Sequence, residues 1–493
     1  MRLPRITSRV HRAAMEPDEL DKRHVWHPFT QMRGWNAGTP LVIVEADGAV
    51  LRDAEGREYL DGNSSIWTNL HGHRRAEIDA AICGQLGRVA HTSFLGLTND
   101  VAPQFAFELL RAFTQDDAPE GWRVFFSDDG STAVEAGLKM IHQARRQMTG
   151  RSTPNAQGTR RGAQHPISNE ERTTFVSLAS GYHGDTVGAM SVGHSALFHG
   201  TYRRLMFGSR EVMSPACYRC PFNRAVPERG TDARLSRKCE WECVGEVAKA
   251  LDDLGDAASA FVMEPRVQGA AGMTMHAHGY LARVAALCRE RGVWLMLDEV
   301  MTGFGRTGAM FACQHEGVMP DVLALGKGIT GGYLPLAATV ASAEIFAAFD
   351  GEHSEWRTFF HGHSYSGNQL GCAAALASLR LLETVHPMAH VRARGEKLCA
   401  LAQRFWEHPN VGDVRCEGMI CAIEIVEDFA TRRCFSAEQR VGFRVSEAAR
   451  AHGLITRCVG DVLVLMPPYC VSEQQLAQAV DALWRALAEV VPE

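Results

Sequence analysis

Two charged residues stand at the ends of apolar runs in the middle of the chain. Val293 to Leu297 leads into Asp298-Glu299, and Val322 to Leu325 leads into Gly326-Lys327-Gly328. Runs of that length and character predict buried parallel strands, and open α/β sheets bind ligands beyond the carboxyl ends of such strands. A lysine between two glycines just past a buried strand is placed to lose its hydration. Burial disfavours the ammonium and leaves the amine a nucleophile. Asp298 is the natural partner for a cationic ring. Taken singly, Asp298 reads equally as a helix cap and Lys327 as a loop lysine. Both strand ends together, joined by the Gly/Thr-rich stretch Thr302-Gly303-Phe304-Gly305-Arg306-Thr307-Gly308, weigh against that bland reading.

Two further stretches carry complementary chemistry. A strand at Arg123 to Phe126 runs into Ser127-Asp128-Asp129-Gly130-Ser131-Thr132, and a helix opens with Val134, Leu138 and Ile141 on one face. Strand, glycine turn and helix start make a seat for a phosphate, whose charge the helix dipole favours; the same residues also suit an ordinary N-cap. A strand from Thr174 to Leu178 ends at Gly181-Tyr182-His183-Gly184, where Tyr182 could cover a flat ring or pack as a core tyrosine. Asp129 beside the seat would repel a phosphate if it pointed inward, so it is expected to face solvent or a base.

The elements that position these residues alternate strand and helix from 123 to 327, the pattern of a doubly wound α/β sheet. A small antiparallel meander is expected over 41–62, with turns at Asp47-Gly48 and Glu55-Gly56. It leads into the irregular polar and aromatic loop Asn63-Ser64-Ser65-Ile66-Trp67. After about 345 the character changes, with a small-residue helix near 367–384 and alternating segments at 414–426 and 454–466. The division expected is therefore residues 1–70 as the N-terminal part of a small domain, 71–345 as a large domain, and 346–493 as the C-terminal part of the small domain.

A chain of 493 residues with 46% hydrophobic content can fill a large core. The net charge of −6, with both signs mixed throughout, supplies no basic face for nucleic acid, and no run approaches a membrane span. Fourteen cysteines, mostly in apolar company as at Cys83, Cys288, Cys372 and Cys421, fit reduced thiols of a cytoplasmic protein. Only Cys217, Cys220, Cys239 and Cys243 are grouped. Their spacing is compatible with tetrahedral zinc but lacks the context of a zinc ribbon, so loop thiols are the expectation and no metal is assigned. Arg2, Arg5, Arg9 and Arg12 faintly suggest a transit segment, but the stretch is short and Met15 could equally be the start, so a disordered or over-long N-terminus is the expectation. Residues 149–171 are expected to form a surface connection.

A phosphate seat, a ring-covering aromatic, a strand-end Asp and a strand-end Lys together suit pyridoxal 5'-phosphate. The motif Leu297-Asp298-Glu299-Val300, the glycine-rich stretch after it and Gly326-Lys327-Gly328 resemble those of the class III, fold type I, pyridoxal-phosphate aminotransferases, and the likeness runs over nearly the whole chain. The resemblance implies an α/β fold with a mostly parallel sheet in the large domain, plus a smaller α+β domain from both termini. It implies Lys327 as the Schiff-base lysine and proton shuttle, Asp298 on the pyridine nitrogen, Gly130 and Ser131 on the phosphate, and Tyr182 over the ring. It also implies a homodimer with shared sites, in which Gly362, His363 and Ser364 reach into the neighbour's site, Ser364 towards the phosphate.

Within that class the chain is similar to the branch that aminates 8-amino-7-oxononanoate in biotin biosynthesis. The carriers are Trp26-His27-Pro28-Phe29-Thr30-Gln31-Met32, Phe311-Ala312-Cys313-Gln314-His315 and Leu465-Met466-Pro467-Pro468-Tyr469. That resemblance implies a substrate channel lined by Phe29, Ile66 and Trp67, with Arg457 for the far carboxylate through a charge-assisted bond. Phe29 and Ile66 depart from the Tyr and Trp of members that use S-adenosylmethionine. Other stretches, such as Thr330-Gly331-Gly332-Tyr333, are closer to members using lysine, so both donors stand. The alternatives are another class III enzyme acting on an ω-amino acid or diamine with a 2-oxo acid, and a non-catalytic holder of the cofactor.

Overall fold

The computed structural model describes residues 16–115, 118–148 and 172–492. The arginine-rich start and the connection at 149–171 lie outside them. Seven strands form the central sheet, in the order Arg123–Ser127, Ala337–Ala341, Val322–Leu325, Trp294–Asp298, Ala258–Met263, Thr174–Leu178 and Arg210–Val212. Every pairing is parallel except the two made by Ala337–Ala341, which runs against both neighbours. The sheet is thus mostly parallel, with one reversed strand that the alternating pattern did not disclose. Trp294–Asp298 is buried at all five positions between two equally buried neighbours, which explains its unbroken apolar run.

The helix Gly130–Met148 follows the first strand and packs one face on the sheet. The meander forms as Ile43–Asp47, Val50–Asp53 and Glu58–Asp61, and its last strand pairs in parallel with Leu454–Ile455, joining the two ends of the chain. A separate antiparallel sheet, Val411–Glu417, Ile420–Ile425, Val462–Leu465 and Arg457–Val459, carries the C-terminal segment. Gln369–Thr384, placed by composition with the C-terminal lobe, packs instead against the helices Ala76–Leu86 and Ala102–Thr114. Its small residues allow that close approach.

All fourteen cysteines are free. Cys288, Cys372 and Cys421 are buried, whereas Cys83 is exposed on its helix, a correction to its expected core position. Among the described residues no helix is long and apolar enough to cross a membrane.

Candidate active site

The two strand ends meet as their pattern requires. Asp298 is 5% exposed; its Oδ1 accepts from Val300 N at 3.0 Å, and its Oδ2 accepts from His183 Nδ1 at 2.8 Å. Glu299 turns away from the site. Its carboxylate accepts the backbone N–H groups of Ala312 at 2.6 Å and Cys313 at 2.8 Å, and so folds the glycine-rich connection back on the sheet. Lys327 follows Val322–Leu325 at a left-handed φ of 43°, a conformation that costs energy in a residue with a Cβ. Burial holds its amine below the ordinary lysine value, against the pull of Asp298 and Glu264 and with help from Arg457.

The phosphate seat is built by contact. Gly130 opens its helix beside Val300 and Gly326; a Cβ on it would stand 2.4 Å from Val300 Cγ1. Ser131 Oγ accepts from Thr186 N at 2.9 Å, which ties the helix start to the turn after Tyr182. Gly184, at φ +116°, makes room: a Cβ there would lie 2.3 Å from Ser131 Cβ. Asp129 is exposed and accepts from Thr132 N at 3.0 Å, so it caps the helix at the rim of the chamber that Gly130 and Ser131 line.

Two cavities share Lys327, Trp67 and Tyr182. One, of about 770 Å³, is lined by Gly130, Ser131, His183, Gly184, Glu264 and Asp298 among others. The other, of about 1130 Å³, is lined by Phe29, Ile66, Leu197, Phe198, Met275 and Arg457 among others. Lys327 therefore stands at the join between a carboxylate-bearing chamber that holds a helix start and a largely apolar one. Arg457 is half-buried, makes no hydrogen bond or ion pair among the described residues, and faces the Trp67 ring at 5.6 Å. Burial lowers its proton affinity.

Tyr182 is half-buried, donates to Asp185 Oδ2 at 2.8 Å and stacks on His199 at 5.8 Å. Burial, then the Asp185 bond, pushes its phenol above the ordinary value, so it stays neutral over the chamber. Trp67 sits in a turn where Ser64, Ser65, Ile66 and Trp67 all have positive φ, between 46° and 67°. That turn is held by Ser65 on Asp61, by Ser64 Oγ on Met466 O at 2.7 Å, and by Trp67 Nε1 on Asn63 Oδ1 at 2.7 Å. Buried Arg306 donates to the carbonyls of Asn69 and Pro467, both at 3.0 Å.

Gly362, His363 and Ser364 line neither cavity. His363 pairs with Asp128 at 3.1 Å, and the Ser364 carbonyl accepts from His91 at 2.8 Å. Phe29 and Ile66 are 70% and 54% exposed at the mouth of the larger cavity. The four grouped cysteines lie along a loop and helix start, where burial and their mutual charge raise the thiols of Cys217 to about 11 and Cys243 to about 12. Among the described residues no group of three or more metal-ligating side chains is arranged to hold a metal ion.

Two residues of the smaller chamber had no role assigned from sequence. Glu264, at the end of Ala258–Met263, accepts from Gly269 N at 2.8 Å and Tyr182 N at 3.3 Å. Burial and the nearby Asp298 raise its carboxyl to about 7. Its strand-end position was the available signal. His183 lay inside a quoted motif, but its partner is 115 residues away.

The class III aminotransferase family model matches residues 32–487. The chain belongs to the class III aminotransferases. Among curated relatives of this aminotransferase, the adenosylmethionine-8-amino-7-oxononanoate aminotransferase of Geobacter sulfurreducens is 44% identical, over 96% of this chain and 97% of the relative. The solved structure of the enzyme of that name from Methanocaldococcus jannaschii is 36% identical, covers 96% and 98% of the two chains, and superposes with a TM-score of 0.83. An (S)-enantioselective ω-transaminase from Thermomicrobium roseum is 30% identical over 96% and 98%, with the same TM-score of 0.83. An amine transaminase from an uncultivated Pseudomonas species, solved with PLP bound, is 32% identical over 94% and 98%, again at 0.83.

The smaller chamber of this aminotransferase fits that cofactor on its own geometry. A helix start cleared by two glycines suits the phosphate, a carboxylate fixed at a buried strand end suits the ring nitrogen, and Lys327 suits the aldehyde.

Proposed function

We propose that this aminotransferase binds pyridoxal 5'-phosphate and transfers an amino group to 8-amino-7-oxononanoate, forming 7,8-diaminononanoate, with S-adenosylmethionine or lysine as donor. The observation that carries the reading is Arg457, whose guanidinium has no partner among the described residues and shares the Trp67 ring with Lys327 in a largely apolar cavity. A long keto acid with a terminal carboxylate has that shape and charge. The names of the relatives from Geobacter and Methanocaldococcus support the same substrate.

When bound, the cofactor supplies an aldehyde and an electron-withdrawing ring that acidifies the carbon bearing the amino group. The chain's own residues do the rest. Gly130 and Ser131 anchor the phosphate, Tyr182 covers one face, and Asp298 stabilises a proton on the ring nitrogen. Lys327 carries the proton to and from the reacting carbon, its amine kept basic but unhydrated by burial. Arg457 fixes the far end of the chain so that the carbonyl lies at Lys327.

We also propose a cytoplasmic homodimer in which Gly362, His363 and Ser364 enter the neighbouring site. Their position outside both cavities of their own chain supports this. So does the exposed apolar surface around them, where Leu95 is 91% and Tyr365 60% exposed. The ω-transaminase likeness keeps a second reading, amine transfer between an ω-amino acid or diamine and a 2-oxo acid.

The test incubates the cofactor-loaded protein with 8-amino-7-oxononanoate and either donor. Diaminononanoate with one of them is the expected result. No product with either, alongside turnover of an ω-amino acid with pyruvate, would establish the second reading.

A further inference from the structure

Asp298 is not held by its own strand alone. Its Oδ2 is bonded to His183 Nδ1 at 2.8 Å, and the two side chains are 5% and 1% exposed. Since a carboxylate only accepts, Nδ1 carries the hydrogen. His183 Nε2 is buried without a hydrogen-bond partner among the described residues, and it packs against Gly181, where a Cβ would lie 3.2 Å away. The ring is therefore oriented by packing and by one bond. Tyr182, the residue before it, lines both cavities, and His183 lines the smaller one, so a single turn brings the covering aromatic and the partner of Asp298 to the same chamber.

A second carboxyl complicates the chamber. Glu264 is buried, 5% exposed, near Asp298, and two such groups cannot both remain anionic at low cost. The groups bearing on His183 are Asp298 and Glu264, which favour its protonated form and outweigh burial, so its proton affinity rises above the ordinary value. Glu264 takes only backbone N–H groups, at Gly269 and Tyr182, while Asp298 takes the imidazole.

We propose that His183 is a positioning residue: its Nδ1–H selects Asp298 as the carboxylate and fixes it for a protonated pyridine nitrogen. Glu264 is then the group of the pair that can hold a proton. The inference needs the cofactor but no particular substrate, so it stands whichever amino donor and acceptor the enzyme uses.

The test loads wild type, His183→Phe and His183→Asn with pyridoxal 5'-phosphate labelled with ¹⁵N in the ring and reads the ring-nitrogen resonance at neutral pH. Asn places an amide nitrogen where Nδ1 stands; Phe keeps the packing and has no donor. The wild type and His183→Asn should show a protonated ring nitrogen, and His183→Phe should lose that resonance in favour of the unprotonated one. A wild-type resonance in His183→Phe would overturn the proposal. Equal loss in both variants would also do so, because packing rather than the donor would then be responsible. His183→Leu repeats the donor-free reading if His183→Phe does not fold. Failure of both to fold beside a stable His183→Asn would make the residue structural and reject the role.

Discussion

The Lys327 ammonium lies 5.0 Å from the centroid of the Trp67 ring, and the Arg457 guanidinium lies 5.6 Å from the same ring. One indole is thus shared by the two cations that the proposed reaction would use at opposite ends of its substrate. Each cation gains from the ring, by about 0.5–2 kcal/mol where desolvated, while Arg457 still weakens the hold of Lys327 on its proton.

Replacing Arg457 by Met keeps the stem and removes the charge. The KM for 8-amino-7-oxononanoate should rise about 10- to 100-fold, the worth of a charge-assisted bond, with kcat changed only a few-fold. Steady-state kinetics with the keto acid varied would show this; an unchanged KM would place the carboxylate elsewhere.

Lys327→Ala should retain the cofactor non-covalently and lose activity by about 10³-fold or more, since both the nucleophile and the proton carrier are gone. Borohydride reduction followed by peptide mass analysis should find the cofactor on the Lys327 peptide of the wild type and on no peptide of the variant.

Gly184→Ala puts a Cβ where Ser131 already stands and at a φ that side chains rarely adopt. Overpacking of this kind costs about 1–3 kcal/mol, so cofactor affinity should fall by roughly one to two powers of ten. Fluorescence titration of the cofactor-free protein measures it, and a small change would mean that Thr186 and Ser131 can part without harm.

The carboxyls of Glu264 and Glu299 are both raised to about 7 in the folded chain, from an ordinary value of 4.5. Below 4.5 both states hold these protons and neither group affects stability. Between 4.5 and about 7 the unfolded chain has lost protons that the folded chain keeps, so these groups make stability fall as pH rises; above about 7 the loss is constant. Glu264→Gln removes one of the two contributions. In denaturant unfolding of the cofactor-free chain, the variant minus wild-type stability should grow across that window, by up to about 1.4 kcal/mol per pH unit. A pH-independent difference would contradict the assigned burial.

The strand ends were legible because both faces of the central strands are covered, which leaves an unbroken apolar run and a charged residue only where it stops. What could not be read was where Glu299, beside Asp298, would turn. That is decided by Ala312 and Cys313, whose N–H groups claim Glu299 only after the connection folds back. The reversed strand Ala337–Ala341 was hidden because it is short and three of its five residues are alanine, which suits a helix as well as a strand. The roles of His183 and Glu264 depend on partners distant in sequence. The turn at Ser64 to Trp67 announced itself only as irregularity, since it contains no glycine to mark positive φ. Arg457 was recognised by resemblance; that no carboxylate among the described residues pairs with it is visible only in the fold.

That turn has a consequence for how the enzyme comes into being. Four successive residues in the left-handed region cannot be stable locally, at roughly 1–2 kcal/mol each, and the bonds that offset this include Ser64 to Met466, 402 positions along the chain. The wall between Lys327 and Arg457 is therefore completed only when the last part of the polypeptide docks. During synthesis Trp67 and Lys327 both emerge well before Met466, and an amino-terminal fragment ending short of Met466 would carry Lys327 beside an unfinished wall. Competence is a late event in the life of this chain, set by its final strands.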